Sequence, residues 1–367
     1  MARLESICRV IVDGDWIESK DQSESGIRLI QTGNIGVGEY LDKINRAKYV
    51  TADTFERLKC TEVFPGDILI SRLPDPIGRA CAVPQNVGKA ITAVDCTIVR
   101  LDPALCDINY FINYTQSVRY SNELSKFLAG TTRTRISRKN LEKIDIPLPP
   151  LEEQRRIASV LDKVSDLIAK RRAQMAKLDL LVKSRFVEMF GDCYTNPYNL
   201  PIAKWSDVFN TTTGKLDSNA AVDNGEYPFF TCSKETLRID KYAFDQEALL
   251  LAGNNAAGKY DVKYYKGKFN AYQRTYVLSL KQNWSYALFR FQLEDKLGYL
   301  EQQSLGGLTK YLTLKILNEL NFVVPEKSEQ DKFAAFVKRI DKSKLTIQQS
   351  LDKLETLKKA LMQQCFG

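Results

Sequence analysis

The stretch LEEQRRIASVLDKVSDLIAKRRAQMAKLDLLVKSRFVEMFG, residues 151–191, returns at residues 327–367 as KSEQDKFAAFVKRIDKSKLTIQQSLDKLETLKKALMQQCFG. The two align without a gap at an offset of 327 − 151 = 176. Identities include Glu153/Glu329, Gln154/Gln330, Ala158/Ala334, Lys177/Lys353, Leu178/Leu354, Leu181/Leu357, Lys183/Lys359, Phe190/Phe366 and Gly191/Gly367. A proline stands before each copy, Pro149 and Pro325. An internal repeat of this length sets the architecture before any local signal is read.

Both copies read as long helices. Proline suits the entrance, early acids such as Glu152 and Glu153 suit the positive end, and Gly191 and Gly367 suit the exit. Between these limits the apolar residues keep a 3.5-residue period. The first copy gives Ile157, Leu161, Val164, Ile168, Met175, Leu178, Val182 and Met189, with Arg171 and Arg185 in register. The second gives Phe333, Val337, Ile340, Ile347, Leu351, Leu354, Leu361 and Cys365, with Lys344 and Lys358 in register. That is a coiled-coil seam, and about 40 residues at about 1.5 Å rise make a rod of about 60 Å. Equal length, register and flanks favour pairing of the two helices with each other, antiparallel. The plainer alternative is two unrelated amphipathic helices, each packed on its own domain.

Composition bounds the rest. A chain of 367 residues, 44% hydrophobic and 27% charged, has room for two to three folded domains. No apolar run is long enough to span a membrane, and the first residues lack a signal-peptide core, so the expected place is the cytoplasm. There is no histidine, and the eight cysteines form no CxxC pair. This argues against zinc sites and against Ser-His-Asp or Cys-His catalysis. The net charge is +8, but residues 1–149 carry 20 bases and 19 acids. Any nucleic-acid surface there must be a local patch.

Working outward from the repeat, residues 1–149 and 192–325 read as two globular segments with elements in a similar order. FPGDILISRLPDPIGRACAVPQN (64–86) and AFDQEALLLAGNNAAGKYDVKYYKGKF (243–269) both read as strand, loop, strand, with Gly258-Lys259 set against Gly78-Arg79. Gly130/Gly306, Lys139/Lys315 and Leu141/Leu317 keep the 176 offset. The expected fold is α+β: two globular α/β domains related by internal duplication, at 1–149 and 192–325. Two long helices, 150–191 and 326–367, would form an antiparallel coiled coil.

Two different heads on a shared rod suit the reading of two different things at a fixed separation. Arg and Lys can contact phosphate or guanine, and Asn and Gln can pair with adenine. Candidate DNA contacts in the first head are Asn34, Arg72, Arg79, Arg133, Arg135, Arg138 and Lys139. In the second they are Asn254, Asn255, Lys259, Gln273, Arg274 and Lys310. The competing reading is that Asn and Gly build turns and that Arg pairs with nearby carboxylates. Tyr260, Tyr264, Tyr265, Tyr272 and Tyr276 among lysines could form a stacking surface, but a strand pair with half-buried tyrosines is the preferred reading. No Walker A sequence, Gly-rich cofactor turn or other catalytic constellation stands out.

At PLPPLEEQRRIASVLDKVSDLI, with the FGD…NP exit at 190–197 and the GDILISR…GRA and LLLAGNNAAGKYDV units, the chain resembles the specificity subunit of a type I restriction–modification enzyme. The resemblance runs over essentially the whole length, and VPEKSEQDKF is a degraded second copy of the entry motif. It implies two target recognition domains, each reading one half of a split asymmetric DNA site, with the paired helices as ruler. It implies a non-catalytic chain without a cofactor of its own. Its partners would be double-stranded DNA, two modification subunits carrying S-adenosylmethionine, and restriction subunits using ATP and Mg, with no membrane. The alternatives are a coiled-coil adaptor between proteins without a DNA role, a specificity subunit of a modification-only system, and a DNA-modifying enzyme in its own right.

Overall fold

Proline, four residues of spacer and a buried glutamine recur at each helix entrance, and the computed structural model shows why. It describes residues 1–128, 134–256 and 258–367. The long helices span Leu151–Phe190 and Lys327–Phe366, 40 residues each, so their bounds also keep the 176 offset. Gln154 is fully buried. Its Oε1 accepts from the Asp107 N–H at 2.9 Å, and its Nε2 donates to the Leu105 and Pro149 carbonyls at 3.0 and 2.8 Å. Gln330 repeats this, accepting from the Ser285 N–H at 2.9 Å and donating to the Pro325 carbonyl at 2.9 Å. Asp107 and Ser285 are themselves the N-caps of the helices Ile108–Tyr114 and Tyr286–Asp295. One amide therefore joins a long helix to a short one in each half of the duplication.

The chain divides into two compact units, residues 1–172 with 349–367, and residues 173–348. Each long helix thus gives its N-terminal part to one unit and its C-terminal part to the other, whereas the sequence partition treats the helices as segments of their own.

In the first unit the helix segments pack antiparallel. Val164, Ile168 and Leu351 form one apolar cluster, flanked by Leu354 and Leu361, and Arg172 meets Glu355 at 2.8 Å. Phe366 is buried against Tyr110 and Tyr114, in the core that also holds Ile157, Ala158 and Leu161. In the second unit Val182, Phe186 and Phe190 share a core with Phe333 and Ile340, while Asp179 pairs with Lys344. That pairing is antiparallel as well.

The heads share one plan. In the first unit Cys8–Asp13, Cys96–Leu101, Ile68–Ser71 and Ala80–Ala82 form an antiparallel sheet in that order. A second sheet runs Lys48–Val50, Ile27–Ile30, Ala90–Thr92, Glu62–Val63, with Ile27–Ile30 parallel to Ala90–Thr92. In the second unit the order is Phe209–Thr213, Thr275–Leu280, Phe244–Ala252, Val262–Ala271, Tyr227–Phe230, Leu237–Ile239. The ten-residue strand Val262–Ala271 replaces the separate Ala80–Ala82 and Ala90–Thr92, which fuses two sheets into one.

Gly14 and Gly214 occupy equivalent places, each directly following an edge strand, Cys8–Asp13 or Phe209–Thr213. A Cβ at Gly14 would lie 2.4 Å from the Ala93 carbonyl oxygen, and one at Gly214 would lie 1.7 Å from that of Ala271. Both positions exclude any side chain because another backbone passes there.

The strand registers correct one correspondence. Ile70 pairs with Ala80 and Ser71 N–H donates to Arg79, whereas Leu251 pairs with Val262 and Ala252 N–H donates to Asp261. Arg79 therefore corresponds to Asp261, and Gly258-Lys259 falls two residues short of Gly78-Arg79. The second loop is longer by one residue.

Replacing Gln330 with Ala should leave the Ser285 N–H buried without an acceptor, at about 1–3 kcal/mol. Thermal or urea unfolding checks this, with the exposed neighbour substitution Ser328→Ala expected to stay within about 0.5 kcal/mol.

Candidate nucleic-acid interface

The polar residues picked from the sequence fall into two groups once their partners are known. Arg79 spends its guanidinium inside the first unit. Nε donates to the Ile35 carbonyl at 2.7 Å, Nη1 to Leu73 and Pro76 at 3.0 Å each, and Nη2 to Thr32 at 2.9 Å. Burial lowers its pKa from the ordinary arginine value, but it stays charged at neutral pH. Asn34 is 6% exposed; its Oδ1 accepts from the Gln31 N–H at 3.0 Å and its Nδ2 donates to Leu41 at 2.9 Å. Arg72 donates to the Val94 carbonyl at 2.6 Å and lies 3.5 Å from Asp13. These three brace the loops around them through these bonds, and Arg72 keeps a buried Nε without a hydrogen-bond partner.

The basic run after Phe127 divides differently. Arg133 lies outside the described residues. Arg135 and Lys139 are exposed. Arg138 is half-buried, faces Glu142 at 3.3 Å, and keeps a buried Nε without a hydrogen-bond partner. Ser137 accepts from Asn140 N–H and so starts the short helix Arg138–Leu141. Ile136 N–H donates to the Arg72 carbonyl, which sets this run beside the 72–79 loop.

In the second unit all six candidates come together. Asn254 and Asn255 pair antiparallel with Tyr311 and Lys310. Gly253 N–H donates to the Arg274 carbonyl at 2.9 Å, bringing in the 272–275 turn. Gln273 Nε2 reaches Asp217 at 3.3 Å. Lys259, Gln273 and Arg274 are exposed, and Asn254, Asn255 and Lys310 are half-buried. Sequence reasoning missed the tip of this cluster. Leu305 and Tyr311 bridge a turn through Gly306 and Gly307 that leaves Leu308 96% exposed. The Gly-Gly pair was the available signal.

Tyr264, Tyr265 and Tyr276 belong to strands, while Tyr260 and Tyr272 lie outside them. Tyr264 and Tyr265 are successive in Val262–Ala271 and so face opposite sides; Tyr264 donates to Glu247 at 2.8 Å and Tyr265 packs on Phe230 and Phe269. The lysines among them are engaged: Lys263 with Asp261, Lys266 with Glu247, and Lys268 over the Tyr242 ring.

The seam residues Ile157, Leu161, Val164, Ile168, Met175, Leu178 and Val182 are buried or half-buried, as are Phe333, Val337, Ile340, Ile347, Leu351, Leu354 and Leu361. Phe186 and Phe190, outside that period, are buried more deeply than several of them. Among the described residues no group of three or more His, Cys, Asp or Glu is placed to hold a metal ion. All eight cysteines are free thiols; burial pushes Cys81 and Cys106 up to about 12. No helix among the described residues is long and apolar enough to cross a membrane.

Two heads of one plan, each joined to a long helix by the same buried glutamine and each presenting different polar loops, define a tandem-duplicated protein. A family model described as the type I restriction modification DNA specificity domain matches residues 1–178 and 202–358, and the chain belongs to that family. It is 32% identical over 173 residues to the type I restriction enzyme EcoDI specificity subunit of Escherichia coli, covering 45% of this chain and 37% of that protein. It is 26% identical over 181 residues to the MjaVIII specificity subunit of Methanocaldococcus jannaschii, covering 46% and 40%. The matched stretches thus span well under half the length of these relatives. A crystal structure of a type I restriction–modification S subunit from M. genitalium shares the fold, with a TM-score of 0.65, 14% identity and coverage of 100% of this chain and 95% of that one.

Arg79→Met removes four charge-assisted contacts to carbonyls and should cost roughly 2–3 kcal/mol of stability. Urea unfolding measures it; an unchanged midpoint would return Arg79 to the pool of free cations.

Proposed function

We propose that this chain is the DNA-recognition subunit of a type I restriction–modification enzyme. Each unit reads one half of a bipartite asymmetric site, and the paired helices set the spacing. One observation carries the reading: the two heads keep the same glutamine dock onto the long helices while the loops they present differ. Duplicated readers with different reading loops require a target in two unlike parts. Family membership supports DNA as the target.

Chemistry belongs to partners in this reading. Two modification subunits would bring S-adenosylmethionine and methylate adenine, and restriction subunits would bring ATP-driven and Mg-dependent steps. Removing a base from its stack for methylation needs a dedicated pocket, which the modification subunits would supply. The expected location of such an assembly is the cytoplasm.

Co-expression with the neighbouring modification subunit in a methylation-free host, followed by mapping of modified adenine, should reveal one split asymmetric motif that needs both chains. Methylation by this chain alone would overturn the division of labour, and a stable two-chain complex that modifies nothing would favour an adaptor.

The spacing role has its own test. Deleting matched heptads, residues 169–175 and 348–354, shortens each helix by about 10 Å, close to ~3 base pairs at about 3.4 Å each. The mapped spacer should shorten by about that amount; an unchanged spacer in a folded, active variant would remove the ruler.

A further inference from the structure

The two heads differ most between two equivalent strand pairs. In the first unit Leu29 pairs with Lys48; in the second Phe229 pairs with Leu237. The first connection, residues 30–47, has 18 residues and the second, residues 230–236, has 7. The extra 18 − 7 = 11 residues therefore belong to the first head alone.

This insertion is not a loose loop. Arg79 holds the Thr32 and Ile35 carbonyls. Gly38 N–H donates to the Ala80 carbonyl at 2.9 Å, and Gly36 N–H to Glu39 at 2.9 Å. Asn34 is tied to Leu41 in both directions, through its side chain and through Leu41 N–H. Arg28 then takes up Asp42 at 3.2 Å, which neutralises the acid nearest the tip. What remains beyond these ties is Lys43-Ile44-Asn45-Arg46, followed by Lys48. All five side chains are exposed, Ile44 to 69%. Among the described residues Lys43, Arg46 and Lys48 have no carboxylate within salt-bridge distance, whereas Arg3, Arg9, Lys20, Arg57 and Lys126 of the same unit all do.

We propose that the tip Lys43–Lys48 is a DNA-contact element of the first head, with Lys43, Arg46 and Lys48 on backbone phosphates and Asn34 and Arg79 as the residues that position it. The proposal rests on the reading of this chain as a DNA-recognition subunit. Three unneutralised cations within six residues, on a platform fixed by at least five internal hydrogen bonds, form a pre-ordered polyanion site. Preorganisation removes the ordering cost that a flexible basic loop would meet on binding. None of the three makes an ion pair among the described residues, and the connection that carries them is short in the second head. Different loops at this place give the two heads different footprints.

The test uses the full chain purified with its modification subunit and a duplex carrying the mapped motif. The variant is Lys43→Gln, Arg46→Gln and Lys48→Gln together. The control is Arg3→Gln, Arg9→Gln and Lys20→Gln, which removes the same charge from ion-paired positions. Affinity is followed by fluorescence anisotropy across salt concentrations, with thermal melting as the folding check. The tip variant should lose on the order of tenfold or more in affinity, and its log K against log salt slope should fall by about 2 to 3, one step of about 0.9 per phosphate contact. The control should stay within about twofold, with nearly the wild-type slope. Wild-type affinity and slope in the folded tip variant overturn the proposal while leaving the recognition reading intact. Equal loss in the control also overturns it, since net charge alone then accounts for the effect. A wild-type complex with no salt-dependent DNA binding overturns both.

Discussion

A buried side-chain amide sets the geometry of each half of this protein. Gln154 and Gln330 each accept one backbone N–H at the start of a head helix and donate to the proline carbonyl at the start of a long helix. Both ends of the amide are used, so no polar atom is stranded in the core. Loss of either would leave a desolvated N–H without an acceptor. Because the same amide recurs at an offset of 176, each head meets its long helix in the same way. The strands, the caps at Asp107 and Ser285, and the loops at the far ends of the strands all follow from that joint.

The seam adds register. Its apolar positions drive pairing, but apolar pairing alone permits slippage by a heptad. Lys344 and Lys358 occupy seam positions in the second helix. Lys344 finds Asp179 in one unit, and Lys358 lies 3.4 Å from Gln116 in the other. Burial lowers the pKa of Lys358, and Asp162 nearby opposes that shift. A slipped register would bury these amines without partners, so they exchange some stability for a single alignment. The aromatic ends contribute from the opposite direction. Phe366 enters the first head's core and Phe190 the second's, so each long helix closes its far end in the head that the other helix begins.

The helices were legible because a repeat, a 3.5-residue period and terminal punctuation all agree on the same bounds. The seam followed from the period alone. Phe186 and Phe190 did not, since they fall outside the period although their rings meet Phe333 of the other long helix as well as the head. The sheets were legible as strand-loop-strand units, but not the fusion into six strands in the second head. Gly14 and Gly214 were not legible either, because the backbone that crowds them comes from residues about 80 and 60 positions away. Site residues were the hardest. Arg79 and Arg46 look equally basic in the sequence, and only the four carbonyls around Arg79 distinguish a structural guanidinium from an available one.

That distinction explains how a duplicated protein can change what it reads without changing how it folds. The joint at the glutamine, the crowded glycine and the strand registers recur in both heads and lie within the packed interior. The variable parts lie where the strands end: the long 30–47 connection of the first head, and the Asn254–Lys259 loop with its Leu305–Tyr311 turn in the second. Substituting an exposed cation there alters charge and reach at little cost to the core, since surface changes shift stability by only about 0.5 kcal/mol. Arg79 marks the boundary between the two regimes. It is polar and close to the presented surface, yet its bonds run inward to the carbonyls that shape the loop. Selection for a new target can act freely beyond Arg79, and behind it any change must first satisfy the fold.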